Sequence, residues 1–340
     1  MRVMPYKQAN TVPSFVFPED AALWREACTL REHYWGKNVF LRGIVEISNH
    51  CRQNCLYCGL RRDNTALQRY RMAPDIIFAS AQAVQRLGFG SIVLQAGEDP
   101  GFSANDIAIL IRRIKKELGL AVTLSFGEWE KSVYALWRDA GADRYLLKLE
   151  TADEKNYTRL RPGNSLSQRI EAFCTLMSLG YETGSGFITD LPGNPEDALS
   201  KGLTLLSGYK PDMLSLSPFV PHPETPLRGH AAGGIATHLR LMATARTMMP
   251  AAHIPVTSAL GLQGDAVRLA ALEVGNVLMP SLTPQEVRRA YAIYPGKNMD
   301  AEEPEQRAAR FRPMLEASGF EAPIGAGSAW RLQYETTRRP

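Results

Sequence analysis

The feature that most constrains this chain is an alternation of types. Short runs rich in β-branched and aliphatic residues are separated by amphipathic stretches long enough to form helices. Candidate strands fall at 39–48, 91–97, 121–127, 144–150, 182–192, 212–219, 255–260 and 276–280. Helical patterns between them cover 75–87, 103–118, 131–140, 165–179, 195–207, 237–249 and 265–274. Strands joined by helical crossovers lie parallel. Eight such units over about 250 residues predict an α/β fold, a closed (β/α)8 TIM-type barrel, here spanning 39–297. An open doubly wound sheet is the alternative topology. Residues 1–38 read as a helical lead-in with a helix near 20–34, and 298–340 as a charged helix followed by an exposed Gly- and Arg-rich extension.

A chain of 340 residues with 45% hydrophobic composition can bury a core of this size. Its 39 basic residues against 35 acidic ones include no basic run interleaved with aromatics, which argues against a nucleic-acid partner. No apolar run reaches the roughly 20 residues of a membrane span, and the opening MRVMPYKQANTVPSF lacks the core of a signal peptide. No membrane association and a cytoplasmic location are therefore expected.

In a barrel, the C-terminal strand ends share the face that carries chemistry. Those ends are polar here: Ser48-Asn49-His50, Gly97-Glu98-Asp99, Ser125 with Glu128, Glu150-Thr151, Thr189-Asp190, Ser217 with His222, and Thr257-Ser258. Directly after the first strand comes CRQNCLYC (51–58), with three of the five cysteines. Structural zinc takes four ligands, and Cys28 and Cys174 lie in predicted helices, where they read as buried apolar residues. Three thiolates can instead hold a cubane iron–sulfur cluster with one iron open to another ligand. A zinc protein or a non-catalytic iron–sulfur carrier is the competing reading from another class.

The CxxxCxxC spacing, with Tyr57 before its last cysteine, resembles the signature of the radical S-adenosylmethionine (SAM) enzymes. The resemblance implies that Cys51, Cys55 and Cys58 hold a 4Fe-4S cluster whose open iron is chelated by S-adenosyl-L-methionine. An electron from an external donor then yields a 5′-deoxyadenosyl radical. It further implies cofactor contacts at Tyr57, Gly97, Glu98, Ser125, Glu150, Arg161 and Arg169. Read without it, the two arginines are a solvated helix face. Gly184-Ser185-Gly186 and Leu191-Pro192-Gly193, ordinary turns on their own, become candidate adenine contacts.

Longer stretches narrow the resemblance: EISNHCRQNCLYCGLRRDN (46–64), RYRM (69–72), SIVLQAGEDP (91–100), VTLSFGEW (122–129), PFVPHPETPL (218–227) and YPGK (294–297). Together they resemble the HydE/PylB branch, and within it the HydE group of FeFe-hydrogenase maturases. This implies a small-molecule substrate, an organometallic iron complex, with other hydrogenase maturases as partners. The implied substrate cavity has Asp99, Lys148, Thr257, Ser258, Met279, Tyr291 and Tyr294 on its wall. The methylornithine synthases of the branch grip their substrate with an arginine and a carboxylate that fall here at Ser215 and Ala259, which disfavours that chemistry. Departures from the HydE pattern include Lys148-Leu149 in place of Arg-His, Phe187 in place of methionine, and the absence of any cysteine after Lys297. A divergent HydE/PylB-type enzyme acting on another small amino-acid or thiol substrate is the alternative. His222, between prolines, reads equally as a residue of the cavity mouth or of a turn.

Overall fold

The computed structural model describes residues 12–337. Its strands are β1 (Phe40–Leu41), β2 (Gly43–Ser48), β3 (Ser91–Ala96), β4 (Ala121–Ser125), β5 (Arg144–Leu146), β6 (Glu182–Ser185), β7 (Ile188–Thr189), β8 (Met213–Leu214), β9 (Ser217–Pro218), β10 (Pro255–Val256) and β11 (Val277–Leu278). Each expected strand is present; the first, fifth and sixth are each broken in two. The helices are α1 (Ala21–Trp35), α2 (Pro74–Arg86), α3 (Ala104–Leu118), α4 (Lys131–Asp139), α5 (Glu154–Leu160), α6 (Leu166–Ser178), α7 (Ala198–Tyr209), α8 (Ile235–Met248), α9 (Ser258–Gly261), α10 (Asp265–Leu272), α11 (Gln285–Arg288), α12 (Pro304–Ala309), α13 (Phe311–Ala317) and α14 (Trp330–Thr337).

The sheet closes. From β2 it passes in parallel through β3, β4, β5 and β6 to β8. Met213 of β8 bridges His253 beside β10, β10 pairs with β11, and β11 pairs with β1. Because β1 and β2 form one strand interrupted at Arg42, and Ile44 also bridges Ser281, the ring has eight strands with ends joined. The open doubly wound alternative is thereby excluded. Each crossover helix turns its apolar stripe inward. In α3, Ser103 Oγ accepts from Asp106 N at the N-cap and Gly119 ends the helix, so that Ile107, Leu110, Ile111 and Ile114 face the strands.

The break between β6 and β7 lies at Gly186, whose φ is +153°. A Cβ there would stand 1.8 Å from Ser215 O, so only glycine lets strands five and six approach so closely. β7 and β9 then pair with each other as a separate two-stranded rim.

The C-terminal segment departs from expectation. It is not an exposed extension. Ala308 and Leu315 are fully buried, Asn38 bridges Glu321, and the chain then crosses the barrel at the N-terminal strand ends. There Arg144 Nη2 donates to Ala326 O (2.9 Å) and Gly327 O (3.1 Å), Arg42 Nη2 to Gly327 O (3.1 Å), and Ala329 N to Glu182 Oε2 (2.7 Å). Glycine and arginine in sequence suggest a solvated tail; here the glycine carbonyls satisfy arginines of other strands. Residues 1–11 of the expected lead-in and 338–340 of the expected extension lie outside the described residues.

Candidate active site

A cavity of about 800 Å³ opens at the C-terminal strand ends, the face where a barrel gathers its loops. Cys51, Cys55 and Cys58 line one end of it. Tyr57, Gly97, Glu98, Ser125, Glu150, Arg161 and Arg169 share that wall, and Lys148, Thr257, Ser258, Met279, Tyr291 and Tyr294 continue it across the barrel.

Asp99 does not join them. It is buried away from the cavity, with Arg71 Nη2 and Nε donating to its carboxylate at 2.6 and 2.7 Å, Ser48 Oγ at 2.6 Å and Gly101 N at 2.8 Å. Asp99 thus latches the end of strand one to the chain that follows the cysteine loop, and the expectation that it meets substrate is corrected. One other expectation changes, and one open reading is decided. The glycines of 184–186 and 191–193 are absent from the cavity wall; they permit close packing of backbone and of Arg159. His222 is a turn residue, its Nδ1 accepting from Glu224 N, packed beside Gly59 of the cysteine loop.

The cysteine loop is held from both sides. Arg52 N donates to Glu98 O (2.9 Å), Leu56 N to Leu160 O (2.9 Å) and Gly59 N to Ile293 O (3.0 Å). A Cβ at Gly97 would fall 2.2 Å from His50 O, so glycine is required where strand two passes beneath this loop. Burial, and for Cys51 and Cys58 also the neighbouring cysteines, drives the thiols upward, Cys51 to about 11. Three such thiols ionise readily only when a metal accepts them. Among the described residues no three His, Cys, Asp or Glu side chains converge as the ligands of a lone ion would.

Beside them lies a set of opposed charges. Glu98 accepts from Gln53 Nε2 (2.6 Å) and Arg52 Nε (3.2 Å), with Arg161 and Arg169 at 3.5 and 3.6 Å. Arg169 Nη1 donates to Glu128 Oε1 at 2.8 Å. Gln53 was not singled out from sequence, and Glu128 only as a polar strand end; their contacts join loops far apart in the chain. Glu150 has a left-handed φ of 68°, uncommon for a residue with a Cβ, and is held there by hydrogen bonds to Gly186 O and from Ile188 N. Lys148 Nζ lies 3.2 Å from Glu150 Oε2. Farther in, Ser258 Oγ and Tyr294 OH are hydrogen-bonded, and Lys297 pairs with the fully buried Glu46 at 2.8 Å. That last pair is also invisible to pattern reading, because a charged residue inside a strand core gains its partner only through closure of the ring.

Several buried polar atoms on the cavity wall make no hydrogen bond: Glu150 Oε2 and Arg161 Nη2, which have only the ion pairs to Lys148 and to Glu98 and Glu128, together with Arg161 Nε and Thr257 Oγ1. Such atoms are costly unless a ligand completes them. The first three stand on the side of the cysteines, where a zwitterionic cofactor would meet a carboxylate and a guanidinium. The residues fit a SAM-liganded cluster.

Comparison with known proteins agrees. The Radical SAM superfamily model matches residues 45–206. The "[FeFe] hydrogenase maturase subunit HydE" of Thermotoga maritima is 45% identical over 292 residues, covering 86% of this chain and 83% of that protein. The "3-methylornithine synthase" of Methanosarcina barkeri is 30% identical over 275 residues, 80% of this chain and 77% of that one. The crystal structure of methylornithine synthase (PylB) superposes with a TM-score of 0.80 at 25% identity, covering 96% and 95% of the two chains. A closed barrel bearing three cysteines beyond its first strand defines a radical SAM enzyme with a 4Fe-4S cluster and S-adenosylmethionine as cofactors. Within that superfamily, this chain belongs to the HydE family.

Proposed function

We propose that the protein acts in FeFe-hydrogenase maturation, using Cys51, Cys55 and Cys58 to hold the cluster and the rest of the cavity to enclose a small substrate. The observation that carries this reading is a single cavity running from the three cysteines to Lys148, Thr257, Ser258 and Tyr294. When bound, the cluster and S-adenosylmethionine supply a 5′-deoxyadenosyl radical. Arg161 and Arg169 offer guanidinium forks to a carboxylate, and Glu98 and Glu150 offer acceptors to ammonium and hydroxyl groups. In the space beyond, Lys148 presents a cation and the Ser258–Tyr294 pair a polar edge. Ser215 and Ala259 line the same wall without charge, leaving an amino-acid head group unmatched there, which supports the maturase side of the branch over a methylornithine-synthase-like mutase. Hydrogenase maturases are the corresponding partners, alongside an external electron donor. Among the described residues no helix is long and apolar enough to cross a membrane.

The test has two stages. Anaerobic reconstitution should give a brown protein that cleaves S-adenosylmethionine on reduction, and addition to companion maturases and apo-hydrogenase should restore hydrogen evolution. Cleavage without restored hydrogenase activity would redirect the reading to a divergent substrate; a colourless protein holding one zinc would end it.

A further inference from the structure

The RYRM segment (69–72) has no part in the cavity, yet its first residue holds both flanks of the cysteine loop. Arg69 Nη1 donates to Asn49 O at 2.6 Å and to Leu60 O at 2.9 Å. Those carbonyls flank the cysteines, Asn49 two residues before Cys51 and Leu60 two residues after Cys58. One nitrogen therefore ties the neck of the loop. Nη2 adds Arg61 O (2.7 Å) and Asn64 O (3.3 Å). The position of Arg69 is itself fixed by its neighbours: Asn49 Oδ1 accepts from Tyr70 N (2.7 Å), Asn49 Nδ2 donates to Gln68 O (2.8 Å), and Arg71 is locked to Asp99.

We propose that Arg69 is a positioning residue with two roles: its planar fork pre-organises the cysteine loop before any cluster arrives, and its fixed positive charge makes the bound cluster easier to reduce. The inference rests on the reading that Cys51, Cys55 and Cys58 hold that cluster. A lysine could carry the charge but could not span four carbonyls, because only a guanidinium offers its donors in a rigid plane. The charge acts on the loop directly. The Arg69 guanidinium is bonded to the carbonyls of Asn49 and Leu60, each two residues from a cysteine, so the charge lies against the loop that carries the thiols. One electron from the external donor adds one negative charge to the cluster, and a cation held beside its ligands stabilises that added charge, since net charge and exposure set iron–sulfur potentials.

Arg69→Gln and Arg69→Lys separate the two roles. Amide hydrogen exchange on the cluster-free protein should show residues 51–60 opening at least about ten-fold faster in both variants, because charge-assisted bonds at the loop neck are lost. After anaerobic reconstitution, redox titration followed by electron paramagnetic resonance should place the Arg69→Gln cluster at a more negative potential than wild type, with Arg69→Lys close to wild type. Unchanged loop exchange in both variants would overturn the first role; equal potentials in wild type and Arg69→Gln, or an equal shift in both variants, would overturn the second. A wild-type protein that assembles no cluster would refute the reading beneath the proposal instead. Circular dichroism and a melting curve on each variant confirm that the barrel has folded.

Discussion

The two ends of the barrel bury charge in opposite ways. At the floor, Arg144 donates through Nε to Glu182 (3.1 Å), through Nη1 to Ser91 Oγ (2.9 Å) and through Nη2 to the C-terminal strap, while His253 Nε2 meets Ser328 O. At the mouth, Arg161 has carboxylates at 3.5 and 3.7 Å but leaves Nε and Nη2 without a hydrogen bond, and Glu150 leaves Oε2 so. The chain itself completes most of the floor, where Arg42 Nε is a buried donor left unpaired; the mouth leaves more for a ligand to complete. Buried charge that the protein satisfies serves stability, whereas buried charge that it leaves partly satisfied marks the place where binding energy is obtained.

Substitutions at the two ends should separate these roles. The largest effect is expected for Cys55→Ala, which removes one of three cluster ligands: cluster absorbance and reductive cleavage of S-adenosylmethionine should both vanish. Arg144→Met should lower the stability of the cluster-free protein by about 3–5 kcal/mol in denaturant titration, because it leaves the buried Glu182 without its cation and Ala326 O without the Arg144 donor. Arg161→Met should do the reverse. Its loss leaves Glu98 still bonded to Gln53 and Arg52, so the melting temperature should change little, while cofactor affinity of the reconstituted protein, measured by isothermal titration, should fall about 10- to 100-fold.

Acid provides a fourth test. His238 is fully buried, hydrogen-bonded through Nδ1 to Thr189 Oγ1 (2.9 Å), and pushed down to about 3 by burial and then by Lys148. Below 6.5 the unfolded chain takes up a proton that the folded one refuses, so the contribution of His238 is fully present above 6.5 and is lost as pH falls towards 3. The slope is at most about 1.4 kcal/mol per pH unit. His253, likewise held neutral by burial, adds to the loss in the same direction. Melting curves between pH 7 and 5 should show a smaller decline in His238→Gln than in wild type. The smallest effect is expected for Thr257→Val, which removes a hydroxyl that has no partner: the melting temperature of the cluster-free protein should stay the same or rise slightly.

Strand positions were legible because apolar periodicity is local, and the cysteine spacing was legible because it is local too. Glu98 could be singled out as a polar strand end and through the resemblance to the radical SAM enzymes. Asp99 misled for the same reason: in sequence it is the next polar residue at a strand end, and only the reach of Arg71 across the loop decides that it turns away from the cavity. Gln53 gave no local signal, since its importance lies in the Glu98 carboxylate it meets; Glu128 showed only as a polar strand end, and its role depends on the arrival of Arg169.

By itself, then, the sequence determined an eight-stranded alternation, the face that carries chemistry and the three thiols, all properties of residues within a few positions of one another. The tertiary structure decided which buried charges are neutralised by the chain and which await a ligand. That choice depends on contacts between segments as distant as Arg42 and Gly327, or Glu46 and Lys297, which exist only once the ring is closed and its floor is sealed.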